Sequence, residues 1–211
     1  MNKYELLQDD KIEVSGRTLY RIRALKDFKG AKAGDLGGYI EKEKNLSQED
    51  NCWVCGNARV CGNACVCGNA RVCGDARVCG DARVFGEAYV CGDARVYGNA
   101  YVFDNAYVFG SAEVCGSAWI YDRAEVCGSA KISKANDILC IAPIGSRNDV
   151  TTFFKTKDNN ICVKCGCFTG TIDDFLEAVN ETHGKNKHAK AYKLACELAK
   201  VQIDLEDKIN E

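Results

Sequence analysis

From Val54 to Ile132 an aliphatic residue returns at every sixth position, fourteen times without interruption. The series runs Val54, Val60, Val66, Val72, Val78, Val84, Val90, Val96, Val102, Val108, Val114, Ile120, Val126, Ile132. Alanine stands four places after nearly every member, from Ala58 to Ala130, and Gly-Asn, Gly-Asp or Gly-Ser pairs fill the interval. A period of six suits neither a helix nor a hairpin sheet. It predicts a parallel β-helix in which each hexad supplies one short strand and one corner. In Val72-Cys73-Gly74-Asp75-Ala76-Arg77, strand alternation turns Ala76 and Val78 inward and Arg77 and Cys79 outward. Gly74 and Asp75 make the corner, where positive φ is cheap for Gly and tolerated by Asp or Asn. Three hexads close one triangular coil, so equivalent residues recur every eighteen positions and the valines stack at about 4.8 Å.

The aliphatic-x-x-x-small-x form resembles the left-handed hexapeptide β-helix family. Upstream lie Leu19-Tyr20-Arg21-Ile22-Arg23-Ala24-Leu25-Lys26-Asp27-Phe28, Ala33-Gly34-Asp35-Leu36-Gly37-Gly38-Tyr39-Ile40-Glu41, Asn45-Leu46-Ser47 and Trp53-Val54. These segments resemble the opening of hexapeptide-repeat proteins common in bacteriophages and prophages, in which a short β-rich segment caps the first coil. The resemblance covers roughly residues 15–135. It implies a mainly β chain: a left-handed parallel β-helix with a small β-rich N-terminal cap and a C-terminal α+β module. The expected divisions are 1–30 for the cap, 31–135 for the β-helix and 136–211 for the module. Residues 47–52 break the period by two, which predicts a bulge or small loop at one corner.

After Ala135 the grammar changes. Apolar runs at 138–144, 150–154 and 161–165 predict strands, the last two joined by a turn at Asp158-Asn159-Asn160. Thr171 and Asp174 form a capping-box pair for a helix with Ile172, Phe175, Leu176 and Val179 on its apolar side and Gly184 as its stop. A second helix is expected over roughly 187–208, with Leu194, Leu198, Val201 and Leu205 at helical spacing. The order is therefore β-β-β-α-α. Ile144-Gly145-Ser146-Arg147, Thr152-Phe153-Phe154, Gly166-Cys167-Phe168, Gly170-Thr171 and Thr182-His183-Gly184 resemble a small module that recurs at the ends of phage proteins with unrelated front halves.

Twenty-eight Lys and Arg face thirty Asp and Glu, for a net charge of -2. No segment is a basic tail, which argues against duplex nucleic acid as a partner. No apolar run approaches the roughly 18 residues of a membrane span, and no export signal is evident, so a cytoplasmic location is expected (the host cytosol if phage-encoded). Eight of the fifteen cysteines occupy one repeat slot, directly after the aliphatic, which elsewhere takes Phe or Tyr. They read as reduced packing thiols. Cys162-x-x-Cys165-x-Cys167 with His183 has part of a zinc spacing. Strand alternation separates Cys162 from Cys165 and Cys167, so packing is the preferred reading. No metal and no cofactor is expected.

Stacked at eighteen, Phe85, Tyr101, Phe103, Trp119 and Tyr121 share one outer face. A monomer seldom exposes so large an apolar patch, and hexapeptide proteins typically trimerise through such faces, so a homo-oligomer, a trimer, is expected. Acyltransferases of this family use a histidine base, and its carbonic anhydrases use three histidine ligands. The only histidines here, His183 and His188, lie outside the β-helix, so no catalysis is expected. Binding remains. Arg59, Arg77 and Arg95 stack on another face beside Tyr97, and Arg147, His183, Lys185 and His188 gather in the terminal module. Both groups suit a small anionic, nucleotide-like ligand, such as a host defence nucleotide held without being cut. The terminal loops are expected to matter more than a flat β-helix face. The alternative is a purely structural or protein-docking scaffold; a hexapeptide acyltransferase is a distant third.

Overall fold

The computed structural model describes residues 2–205. Fourteen two-residue strands, from Trp53–Val54 (β4) to Lys131–Ile132 (β17), wind a parallel β-solenoid. At three strands per turn this makes about five turns. Every sixth-position aliphatic from Val54 to Ile132 is 0% exposed, and Ala58 to Ala130 are all buried behind the corners. Full burial of each valine contributes about 1.5–3 kcal/mol. The turns stack in strict register, with Val60 opposite Val78 and Val78 opposite Val96. Backbone bonds sew them together: Arg77 N–H to Ala94 at 2.8 Å, Cys79 N–H to Val96 at 2.9 Å and Asp81 N–H to Gly98 at 2.9 Å.

That last bond explains the corner glycine. Gly80 has φ +70°, and a Cβ there would sit 2.9 Å from the Gly98 nitrogen of the next turn. Asp104 and Asp122 occupy the same slot at φ 56° and 55°, the short-side-chain exceptions. The residue after the glycine builds a second ladder. Asn63 donates its amide to Asp81 at 3.1 Å, and Asn57 to Asp75 at 3.3 Å, so amide-over-carboxylate stacking avoids like charges.

Register also acts on the cysteines. Cys55 and Cys73, one turn apart, have Cα atoms 4.7 Å apart and form a disulfide, while the other thirteen thiols are free. The expectation of packing thiols is corrected for this one pair: an eighteen-residue offset brings identical slots within disulfide reach.

Both ends are plugged. β1 (Tyr4–Val14) and β2 (Arg17–Ala24) form an antiparallel hairpin, and β3 (Leu36–Ile40) joins it in parallel to the strand Arg59–Val60. The loop at 47–52 turns carbonyls inward. The Lys3 ammonium, fully buried, donates to Cys52 O at 2.9 Å and Glu49 O at 3.1 Å. Tyr4 donates its hydroxyl to Leu46 O at 2.7 Å. At the other end β18 (Ile138–Ile144), β19 (Asp149–Lys155), β20 (Ile161–Cys165) and β21 (Phe168–Thr171) form an antiparallel sheet under α1 (Ile172–His183) and α2 (Lys187–Gln202). Alternation along β19 sends Phe154 into the solenoid core and Phe153 into the core beneath the helices.

The expected β-β-β-α-α order is corrected to four strands, because Phe168–Thr171 pairs with β20 rather than looping. Thr171 and Asp174 do close a capping box, the Asp174 N–H meeting Thr171 Oγ1 at 3.2 Å and Thr171 Oγ1 meeting the carboxylate at 2.7 Å. α2 ends at Gln202, and the rest of the span expected to 208 lies partly outside the described residues. Its buried side is Ala189, Tyr192, Ala195, Cys196 and Ala199, while Leu194 and Val201 are 72% and 82% exposed. Small residues let the helix lie close to the sheet, so the leucine stripe faces outward.

Gly80→Ala should lower stability by about 1–2 kcal/mol for the positive φ alone, with a further loss from the contact with Gly98. Asp104→Gly should be neutral or stabilising. Urea midpoints of the two variants check this; equal midpoints would contradict it.

Candidate functional site

The strands Arg59–Val60, Arg77–Val78 and Arg95–Val96 bury their valines, which turns three arginines outward in a column. Two residues further on, the same face presents Cys61, Cys79 and Tyr97. The column is not flat ground. The tip of the β1–β2 hairpin, with Val14, Ser15, Arg17 and Leu19, stands over it and encloses a cleft of about 610 Å³. Clefts of this size suit small-molecule ligands. Ser15 and Gly16 both have positive φ, at 50° and 74°, a tight hairpin turn that aims the tip.

Glu41 fastens the wall. It accepts the Gly62 N–H at 2.6 Å and both oxygens receive the Arg17 guanidinium, at 2.9 and 3.0 Å. The Gly62 bond first, and Arg17 next, hold its carboxyl below the ordinary glutamate range.

Charge in the column is uneven. Arg95 meets Glu113 at 3.6 Å, and Glu113 also takes Lys157 at 3.0 Å. Among the described residues, no carboxylate comes within ion-pair distance of Arg59 or Arg77. Cys61 and Cys79, in the same slot one turn apart, lie beside each other in the cleft lining. The contact with Cys61, then the charges of Arg17 and Arg77, draws the Cys79 thiol down to about 7 and its partner up. At the far end the Tyr97 hydroxyl is pushed up to about 12, chiefly by its hydrogen bond with Cys115.

The terminal module sets the residues expected there around Tyr192 and a second cleft. Arg147 lines a second cleft of about 490 Å³ with Arg123 and Lys164. The latter two are already paired, Arg123 with Asp149 at 2.9 Å and Lys164 with Glu125 at 3.2 Å. His183 lies against His188 and Tyr192 with tilted rings, each with ring centres 5.8 Å away, and Lys185 is exposed in the turn between the helices. Cys162 packs toward the solenoid and Cys165 toward the helices. Among the described residues, no three His, Cys, Asp or Glu side chains are grouped to hold a metal ion.

On the face with Phe85, Phe103 and Tyr121, the rings stack in sequence at 5.0 and 5.5 Å. Tyr101 and Trp119 run alongside at 5.5 Å. Trp119 and Tyr121 remain 55% and 46% exposed.

Sequence reading missed Arg17 and the Cys61–Cys79 pair. The Ser15-Gly16 dipeptide between two β-runs was the available signal for the hairpin; its return over the arginine column is non-local and had none.

A family model described as the YdcK beta solenoid repeat matches residues 76–92, close to one turn. It covers Arg77 and Cys79 and speaks for the architecture alone. No curated protein matches the chain. No helix among the described residues is long and apolar enough to cross a membrane.

Because the Glu41 carboxyl titrates below its unfolded value, its contribution is complete above roughly pH 5 and fades as the pH falls through the lowered value. Glu41→Gln should cost about 1 kcal/mol and speed amide exchange at residues 14–19. The difference from the parent chain should vanish in acid. A constant difference from pH 7 to pH 3 would refute this assignment.

Proposed function

We propose that the chain is a non-enzymatic, oligomeric binding protein that holds a small anionic, nucleotide-like ligand in the cleft beneath the hairpin. The observation that carries this reading is the pair Arg59 and Arg77, stacked one turn apart and, among the described residues, without acidic neighbours in ion-pair reach. Adjacent like charges are relieved by a shared anion. Each guanidinium–phosphate contact would contribute about 1.5–3 kcal/mol, and Arg17 would close on the ligand from above. The Tyr97 ring stands where a base could stack. A phage-type sequestration of a host nucleotide is the sharpest form of the reading.

A scaffold role is favoured by a different observation, the exposed ring ladder ending at Trp119 and Tyr121. Trimer formation through that face would cover it. The two readings are compatible, since the cleft and the ladder lie on separate sheets.

Calorimetry with a panel of linear and cyclic nucleotides tests the binding reading. Binding should weaken with salt and return the ligand intact. Arg77→Ala should weaken it at least tenfold, about 1.4 kcal/mol, and Arg147→Ala should change it little. No binding across the panel would leave the scaffold; a cleaved product would make the chain an enzyme.

Light scattering tests assembly. A trimer is expected, and Phe103→Asp with Trp119→Asp should split it, because each places a charge in an apolar contact. A monomer mass for the parent chain at micromolar concentration would refute the interface.

A further inference from the structure

We infer that Cys61 and Cys79 form a redox-active dithiol at the floor of the arginine cleft, which exchanges with small anionic disulfides to close a second cross-turn bridge. The inference rests on the reading of the cleft as an anion site and adds a covalent step to it.

Three observations converge. Cys61 and Cys79 occupy the same slot one turn apart, as Cys55 and Cys73 do one hexad earlier. The latter pair, with Cα atoms 4.7 Å apart, is bridged. The backbones are equivalent: Cys55 N–H bonds to Val72 O at 2.8 Å, and Cys61 N–H bonds to Val78 O at 3.0 Å. The geometry that allows one bridge therefore allows the other. Second, Cys61 and Cys79 both line the cleft, whereas Cys55 and Cys73 do not. Third, Arg17, Arg59, Arg77 and Arg95 line the same space against one carboxylate, Asp81, which takes the Asn63 amide at 3.1 Å, so the lining is net positive and favours both the thiolate and an anionic partner.

The chemistry balances with the small disulfide as oxidant. The Cys79 thiolate attacks one sulfur of R–S–S–R. The S–S bond breaks, and the first RS⁻ leaves with the electron pair and takes a proton from water. Cys61 then gives its proton to solvent and attacks Cys79 Sγ, expelling the second RS⁻, which is protonated in turn. Two protein thiols are oxidised to one disulfide, and one small disulfide is reduced to two thiols. The exchange is stoichiometric and needs no metal. The new bond would tie together the two turns that carry Arg59 and Arg77, fixing the spacing of the guanidinium groups that meet the ligand.

The experiment uses the full chain, reduced and then exposed to glutathione disulfide, an anionic probe, or cystamine, a cationic one. Peptide mapping follows each thiol, with the exposed Cys167 as internal reference for intrinsic reactivity. Glutathione disulfide should give the Cys61–Cys79 bridge, and Cys61→Ser should instead accumulate the mixed disulfide on Cys79. Relative to Cys167, Cys79 should favour the anionic probe by about tenfold or more, and Arg77→Ala or high salt should abolish that preference. Circular dichroism of Cys61→Ser and Cys79→Ser confirms that both remain folded. An unmodified Cys79 in a chain that still binds a nucleotide by calorimetry would overturn the dithiol and leave the anion site standing. Equal or faster reaction with cystamine would overturn the charge selection and the anion reading with it.

Discussion

Everything in this molecule hangs on the register between successive turns. Backbone bonds near 2.9 Å tie each hexad to the one eighteen residues on, so whatever occupies a slot in one turn lies directly against the same slot in the next. Inside, this is simple: valine on valine, alanine behind alanine, all excluded from water. Outside, it is a rule about side-chain chemistry. Stacked rings gain contact, an amide over a carboxylate gains a hydrogen bond, two thiols gain a bridge, and two like charges gain repulsion.

That rule explains what could be read in the chain beforehand. The inward column, the corners, the loop at 47–52 and the Thr171 capping box all rest on local or strictly periodic signals, and the structure contains each of them. Phe168–Thr171 became a strand because β20 offers an edge next to it, which no propensity within Phe-Thr-Gly-Thr would announce. α2 carries two apolar stripes at helical spacing. The stripe of alanines, Tyr192 and Cys196 is buried instead of the leucine stripe. Periodicity finds both stripes and cannot choose between them; the sheet chooses by how near the backbone must come.

The cleft shows the same division. Periodicity stacks Arg59, Arg77, Arg95 and Tyr97 by arithmetic, but it also makes their face a flat one. Enclosure comes from the hairpin, a non-repeating segment whose tip is held to the solenoid by Glu41 through Arg17 and the Gly62 N–H. The positive group expected in the terminal module has less enclosure around it. Arg147 lines a cleft whose other cations, Arg123 and Lys164, are paired with carboxylates, while His183 and His188 lie against each other and His183 against Tyr192.

The column that ends in the cleft contains its own control. From Arg95 onward it alternates in sign, Arg95 over Glu113 over Lys131, and Glu113 pairs with Arg95 at 3.6 Å. Alternation is the inexpensive arrangement for a stacked charged slot, and this chain uses it from Arg95 onward, where Glu113 takes both Arg95 and Lys157. It abandons alternation at Arg59 and Arg77, which line the cleft beside the hairpin tip while Arg77 itself stays exposed to solvent. Among the described residues these two guanidinium groups have no carboxylate in ion-pair reach, and on the proposed reading it is this pair, beside Cys61 and Cys79, that would make the cleft an anion site.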